Sequence, residues 1–186
     1  MANPSPRLYR LGLALVLATA GLSGCVQREP IVVPSVQVPL VKPPARTVDR
    51  VLVFKERRRL YLMSRDTIVE TMPIALGGNP VGPKHEEGDK RTPEGVYLLD
   101  WRNANSRFYK SLHISYPNAQ DVERAHAAGV QPGGNVMIHG LPNGMGWYGE
   151  THALNDWTDG CIAVTNEQMD MIWRLVDDNT PIEVRP

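Results

Sequence analysis

The chain has 186 residues, 42% hydrophobic and 22% charged, enough for one folded domain with length left over outside it. Lys and Arg number 20 and Asp and Glu number 20, so there is no basic surplus and nucleic acid is excluded as an expected partner. With 16 prolines, 16 glycines and only 2 phenylalanines, strands and turns are favoured over a helical bundle. The two cysteines sit in unlike surroundings and do not form a disulfide framework.

Arg7 and Arg10 precede an apolar run at residues 11–20 (LGLALVLATA) that is too short to span a bilayer comfortably. Leu22-Ser23-Gly24-Cys25 follows and resembles a bacterial lipobox. The expectation is a signal peptide at residues 1–24, with Cys25 lipidated and serving as the membrane anchor. An ordinary cleaved signal or an uncleaved anchor is the alternative. Cleavage removes two arginines and no acids, which leaves the mature chain slightly acidic. Val26 follows the cysteine, and in enteric-type sorting a non-acidic residue there implies a periplasm-facing lipoprotein of the outer membrane. Residues 25–47 contain Pro30, Pro34, Pro39, Pro43 and Pro44, a density that breaks helices and sheets. They read as an extended, partly polyproline tether.

The folded domain is expected over residues 48–186. Residues 51–54 and 60–63 are short β-type runs flanking KERRR, whose charges read as a solvated hairpin tip. Residues 67–76 form a third run, ending at Gly77-Gly78. Residues 82–95 hold too many turn formers and charges to be an element. Their His85, Glu86, Glu87 and Asp89 match no common metal-ligand spacing. Strands are expected at residues 96–101 and 111–116; the latter carries His113, a structural or cleft-wall histidine. Residues 119–128 suit a helix with Asn118 as cap and Gly129 as stop. A strand at 135–138 delivers His139, and residues 162–164 form another. Thr165 and Gln168 make a capping box for a helix whose Met169, Ile172, Trp173 and Val176 share one face. Residues 181–185 make the last strand, so the domain is mostly β with two or three short helices.

Chemistry concentrates between residues 138 and 166. Cys161 follows Thr158-Asp159-Gly160, a flexible turn from which backbone N–H groups can face a reacting carbonyl oxygen. An unperturbed thiol, with a pKa of roughly 8.5, is mostly protonated at neutral pH and needs a base. His139 is that base if its strand neighbours the strand bearing Cys161. Otherwise the pair is an inert buried thiol and a packed histidine.

His139-Gly140 followed by Thr158-Asp159-Gly160-Cys161-Ile162, with Gly88-Asp89-Lys90-Arg91-Thr92-Pro93-Glu94-Gly95 upstream, resembles the L,D-transpeptidase catalytic domain family (YkuD-type). The resemblance covers residues 49–185 and implies a β-sandwich-like fold with the cysteine in a cleft under a lid. It also implies that Cys161 attacks peptidoglycan stem peptides after the L-centre of the diamino acid, expelling D-alanine. The thioester then passes to a neighbouring stem, a lipoprotein or water. His139 would be base and acid, oriented by the Gly140 carbonyl, with Gly160 and Cys161 N–H groups forming the oxyanion hole. Thr158, Asp159, Trp147, Tyr148 and His113 would contact substrate. No metal or organic cofactor is implied. The family often has histidine at the position of Asp159 and arginine at that of Ala163, and Cys161 lies 22 positions after His139, a long interval. Three alternatives remain open: the same site used hydrolytically, a non-catalytic peptidoglycan-binding module, and a zinc peptidase built on His113, His139 or His152.

Overall fold

The computed structural model describes residues 48–186; the expected signal, lipobox cysteine Cys25 and tether lie outside the described residues. An antiparallel meander opens the domain: β1 (Arg50–Phe54), β2 (Arg59–Ser64) and β3 (Thr67–Pro73). Its alternation sends Val51, Val53, Leu60 and Leu62 into the core, as the period of two dictates. The chain continues through β4 (Gly95–Asn103), β5 (Ser111–Ile114), β6 (Met137–His139), β7 (Ile162–Ala163) and β8 (Thr180–Arg185). All eight strands form one sheet in the order β3-β2-β1-β8-β4-β5-β6-β7. The last strand in sequence is therefore central, running parallel to β1 and antiparallel to β4.

The helices end where their caps dictate. Asn118 caps α1 (Ala119–Ala127), and its side chain accepts from the Gln120 and Asp121 N–H groups. Thr165 and Gln168 form the expected capping box of α2 (Asn166–Leu175). From α2, Met169, Ile172 and the following Val176 are buried against the sheet, with Trp173 partly so. A 3-10 segment (Gly146–Leu154) is the third helical piece.

The sheet curls until its edges meet. Beyond β3, Ala75 bridges Ala163 and Gly77 bridges Thr158, joining one edge of the sheet to the chain around Cys161. A side chain cannot fit at this seam: a Cβ on Gly77 would stand 2.1 Å from the Lys90 carbonyl oxygen and 2.9 Å from the Gly160 Cα. Gly160, with φ +125°, would place a Cβ 2.6 Å from the Arg91 carbonyl oxygen. Thr92 Oγ1 accepts from the Gly77 N–H at 3.3 Å. The loop at 82–95 thus packs its backbone directly against the turn that precedes Cys161.

The tip expected at residues 55–59 forms with Glu56, Arg57 and Arg59 exposed, but Lys55 and Arg58 turn inward. Lys55 is 2% exposed, and its Nζ reaches Glu94 Oε1 at 2.7 Å and the Gly82 and Thr92 carbonyls at 2.6 and 3.0 Å. Arg58 grips Asp156 with Nε at 3.0 Å and a terminal nitrogen at 2.6 Å. Lys55 is recruited by acceptors that the 82–95 loop buries, and Arg58 by the Asp156 carboxylate. Asp89 is likewise engaged, with Lys84 at 2.8 Å and with the N–H groups of His85, Glu86 and Arg91.

Gly77→Ala is expected to destabilise the domain by about 3 kcal/mol, since backbone rather than a pliable side chain must move. Gly129→Ala, at φ +70° but in open space, should cost only about 1 kcal/mol. Urea unfolding of both variants checks this. Equal losses would show that the close approach at residue 77 does not hold the seam.

Candidate active site

β6 and β7 are parallel neighbours, with Ile138 opposite Ile162 and His139 opposite Ala163. Ile138 and Ile162 point into the core. One step back in register sets Cys161 beside Met137. By alternation Cys161, Ala163, Met137 and His139 then share the opposite sheet face. The neighbouring-strand condition on His139 and Cys161 is met. Both line a cleft of about 600 Å³ whose walls include Phe108, Ser111, Asn135, Trp157 and Asp159.

His139 is 3% exposed, with Phe108 4.6 Å and Trp157 5.8 Å from its ring. Its Nδ1 lies 2.6 Å from the Gly140 carbonyl oxygen. A carbonyl only accepts, so Nδ1 carries the proton and Nε2 is left as the basic nitrogen. Burial pushes the pKa of His139 down to about 4; the Gly140 bond opposes this and nearby His152 adds to it.

Cys161 is a free thiol, half-buried at the cleft floor, with its S–H directed at the Asn135 carbonyl at 3.7 Å. Burial pushes its pKa up, a hydrogen bond from the Met137 backbone opposes, and the Asp159 carboxylate adds to the rise. In the resting site, thiol and imidazole are therefore both uncharged at neutral pH.

A model of the L,D-transpeptidase catalytic domain matches residues 48–184. The chain belongs to this family. Escherichia coli YafK is 33% identical over 131 residues, which are 67% of this chain and 45% of YafK; the chain thus spans under half the length of that curated relative. The helical cell shape determining protein Pgp2 of Campylobacter jejuni superposes with a TM-score of 0.54 at 26% identity, over 73% of this chain and 46% of Pgp2. Bd1075 of Bdellovibrio bacteriovorus shares the fold, with a TM-score of 0.52 at 22% identity over 76% of this chain and 49% of Bd1075.

Within this L,D-transpeptidase domain the expected site residues separate. Thr158 is buried and shapes the turn: its Oγ1 donates to the Cys161 carbonyl at 2.7 Å and accepts from the Gly160 N–H at 3.2 Å. The Gly160 N–H, expected at an oxyanion hole, is thus hydrogen-bonded within the turn. Asp159 is exposed at the cleft. His113 lies on the same sheet face but does not line the cleft; its Nδ1 is 2.7 Å from Asp100 and its ring stacks on Trp101 at 4.9 Å. Trp147 is 77% exposed and also stands outside the cleft, while Tyr148 lines a neighbouring hollow. Among the described residues no three His, Cys, Asp or Glu side chains group closely enough to hold a metal.

Two supporting residues were not singled out from sequence. Asn166 Oδ1 accepts from the Leu141 N–H at 2.9 Å and lies 2.7 Å from where a Gly140 Cβ would be. Asp156, held by Arg58, accepts from the Leu76 N–H at 2.9 Å and so fixes the approach to Trp157 and Thr158. Asn166 at the start of α2 carries a signal in its place just past the capping residue; the partners of Asp156 are remote in sequence and leave none.

The His139 imidazole is expected to stay neutral down to about pH 4, to be read from its carbon-bound proton shifts by NMR. Its folded pKa lies below the roughly 6.5 of an unfolded histidine, so the unfolded chain takes the proton first. The associated stability is complete above about pH 6.5 and is lost on acidification towards pH 4, on the order of 3 kcal/mol. A midpoint near 6.5 in the folded protein would contradict the buried, neutral assignment.

Proposed function

We propose that the protein is a cysteine-dependent L,D-transpeptidase acting on peptidoglycan stem peptides. One observation carries this reading: a thiol and a neutral imidazole, its Nδ1–H tied to the Gly140 carbonyl, line one cleft on adjoining strands. In this reading the sulfur of Cys161 attacks the carbonyl carbon on the L-centre of the stem's diamino acid while Nε2 of His139 takes the thiol proton. The oxyanion is met by the Cys161 N–H. Burial makes the imidazolium a strong acid, so it passes the proton to the departing D-alanine amine and leaves a thioester. An acceptor amine then attacks the thioester, gives its proton to His139, and releases Cys161 as the new amide forms.

Asp159 and Arg107 both line the cleft, so it can meet an ammonium as well as a carboxylate, and in this reading the acceptor is an amine on a second stem or a lipoprotein. The sequence features at residues 1–47 support a lipid anchor on Cys25 and a tether that holds domain 48–186 in the periplasm, within reach of the wall. The likeness to Pgp2, a cell shape determining protein, supports a part in wall remodelling.

Incubation with a carbapenem should add one drug mass to the protein and none to Cys161→Ala, read by intact mass spectrometry. Given a disaccharide-tetrapeptide and an amine acceptor, the protein should release D-alanine and form the new amide. Release of D-alanine with no amide product would assign the site to hydrolysis. No adduct on a thiol that still reacts with a small alkylating reagent would remove the acyl-transfer reading.

A further inference from the structure

Two charged side chains, Arg107 and Asp159, line the cleft that holds Cys161 and His139. Asp159 belongs to the turn that precedes the thiol. Arg107 comes from the loop between β4 and β5 and stands beyond the base. Its Cζ lies 6.0 Å from the centre of the Phe108 ring, which in turn lies 4.6 Å from the His139 ring. The cleft thus carries a guanidinium past the imidazole and a carboxylate near the sulfur.

The backbone that carries Arg107 is fixed. The Asn143 N–H donates to the Arg107 carbonyl at 3.0 Å and Asn143 Nδ2 to the Ser106 carbonyl at 3.1 Å, while Asn143 Oδ1 accepts from the Tyr109 N–H at 2.9 Å. The side chain is uncommitted. Among the described residues the exposed Arg107 guanidinium forms no ion pair, whereas Arg58, Arg102, Arg124 and Arg185 each hold a carboxylate. A free, planar fork of donors on a fixed segment suits a carboxylate, which it can meet with two parallel hydrogen bonds.

In the reaction proposed above, the bond that breaks joins the diamino acid's carbonyl carbon to the amine of D-alanine. His139 gives that amine its proton as a carbon–sulfur bond takes its place, so the amine sits against the base. The D-alanine carboxylate is one carbon farther on. Near the sulfur Asp159 repels it, and past the base Arg107 attracts it. In the second half-reaction the acceptor amine gives its proton to His139 from the place the leaving amine held. An acceptor with a carboxylate on the same carbon as its amine then meets the same guanidinium. A diamino acid whose far carbon bears both groups is such an acceptor; the side-chain amine of lysine is not. We propose that Arg107 binds the α-carboxylate of the amino component in both half-reactions, and so selects α-amino acid amines over bare amines as acceptors. The assignment rests on the transpeptidase reading and adds to it the residue that recognises leaving group and acceptor alike.

Kinetics on the whole protein test it, with a disaccharide-tetrapeptide as donor and D-methionine or D-methioninol as acceptor. The second is the same amine with an uncharged alcohol in place of the carboxylate. D-Methionine should have a KM at least roughly tenfold lower. Arg107→Gln should raise that KM to the D-methioninol value with little change in kcat, and Arg107→Lys should keep part of the preference. A donor ending in D-alaninol instead of D-alanine gives the second pair, with the same order of KM values and the same loss of preference in Arg107→Gln. Equal use within either pair by the unaltered protein would overturn the assignment without reference to any variant's folding. So would a preference that survives in Arg107→Gln. An effect of Arg107→Gln confined to donors with a free carboxylate on the diamino acid would place the guanidinium there and overturn it too. The carbapenem adduct on Cys161 separates the two readings. Adduct formation with equal use within either pair removes this assignment alone; absence of the adduct removes the enzyme reading and this assignment with it.

Discussion

The structure depends on one close approach of backbone to backbone, where Gly77, residues 90–92 and Gly160 meet with no side chain between them. The approach does two things at once. It closes the curled sheet by joining the chain after β3 to the chain before β7, and it fixes the turn that presents Cys161. A glycine at 77 is required by contact and one at 160 by contact and a φ of +125°. Two motifs some seventy residues apart in sequence are therefore a single structural joint. Lys55 and Lys84, both nearly fully buried, hold the outer side of that joint through carbonyls and the carboxylates of Glu94 and Asp89.

Electrostatics at the cleft favour an uncharged pair over a standing thiolate–imidazolium ion pair. Burial raises the thiol, lowers the imidazole, and the Asp159 carboxylate raises the thiol further. In the proposed reaction, proton transfer then belongs to the attack itself and does not precede it, since little thiolate stands ready beforehand. The tautomer is set by one local bond, Nδ1 to the carbonyl of the next residue, while Phe108 and Trp157 pack against the ring and Asn166 holds the backbone just beyond it.

Much of this was legible in the sequence. Strand positions followed from alternation, the Asn118 cap of α1 and the capping box of α2 from side-chain chemistry, and the pairing of His139 with Cys161 from two short motifs. Tertiary partnership was not legible. Residues 55–59 look like a solvated tip because nothing near them in sequence reveals the acceptors that bury Lys55 and grip Arg58. Alternation put His113 on the correct face but could not say that Asp100 and Trp101 would hold it outside the cleft. Gly160 matched its motif, yet its N–H is taken by Thr158, a detail of turn geometry that residue identity does not carry. Trp157 and Phe108, which enclose the His139 ring, come from different parts of the chain and meet only once the sheet has curled.

The segment between His139 and Cys161 is long, and the clamps at its two ends explain how it can be. Asn166, on α2, secures the Gly140–Leu141 end. Arg58 and the Leu76 N–H secure the far end through Asp156. Neither clamp uses a residue from 142–155, although Asn143 within that stretch holds the loop at residues 106–109, which brings Phe108 against His139. In the proposed reaction the base and the thiol belong to the sheet, at the two ends of this stretch. Its exposed Trp147 and Leu154, beside the buried, unpaired His152, show a segment shaped for something other than its own packing.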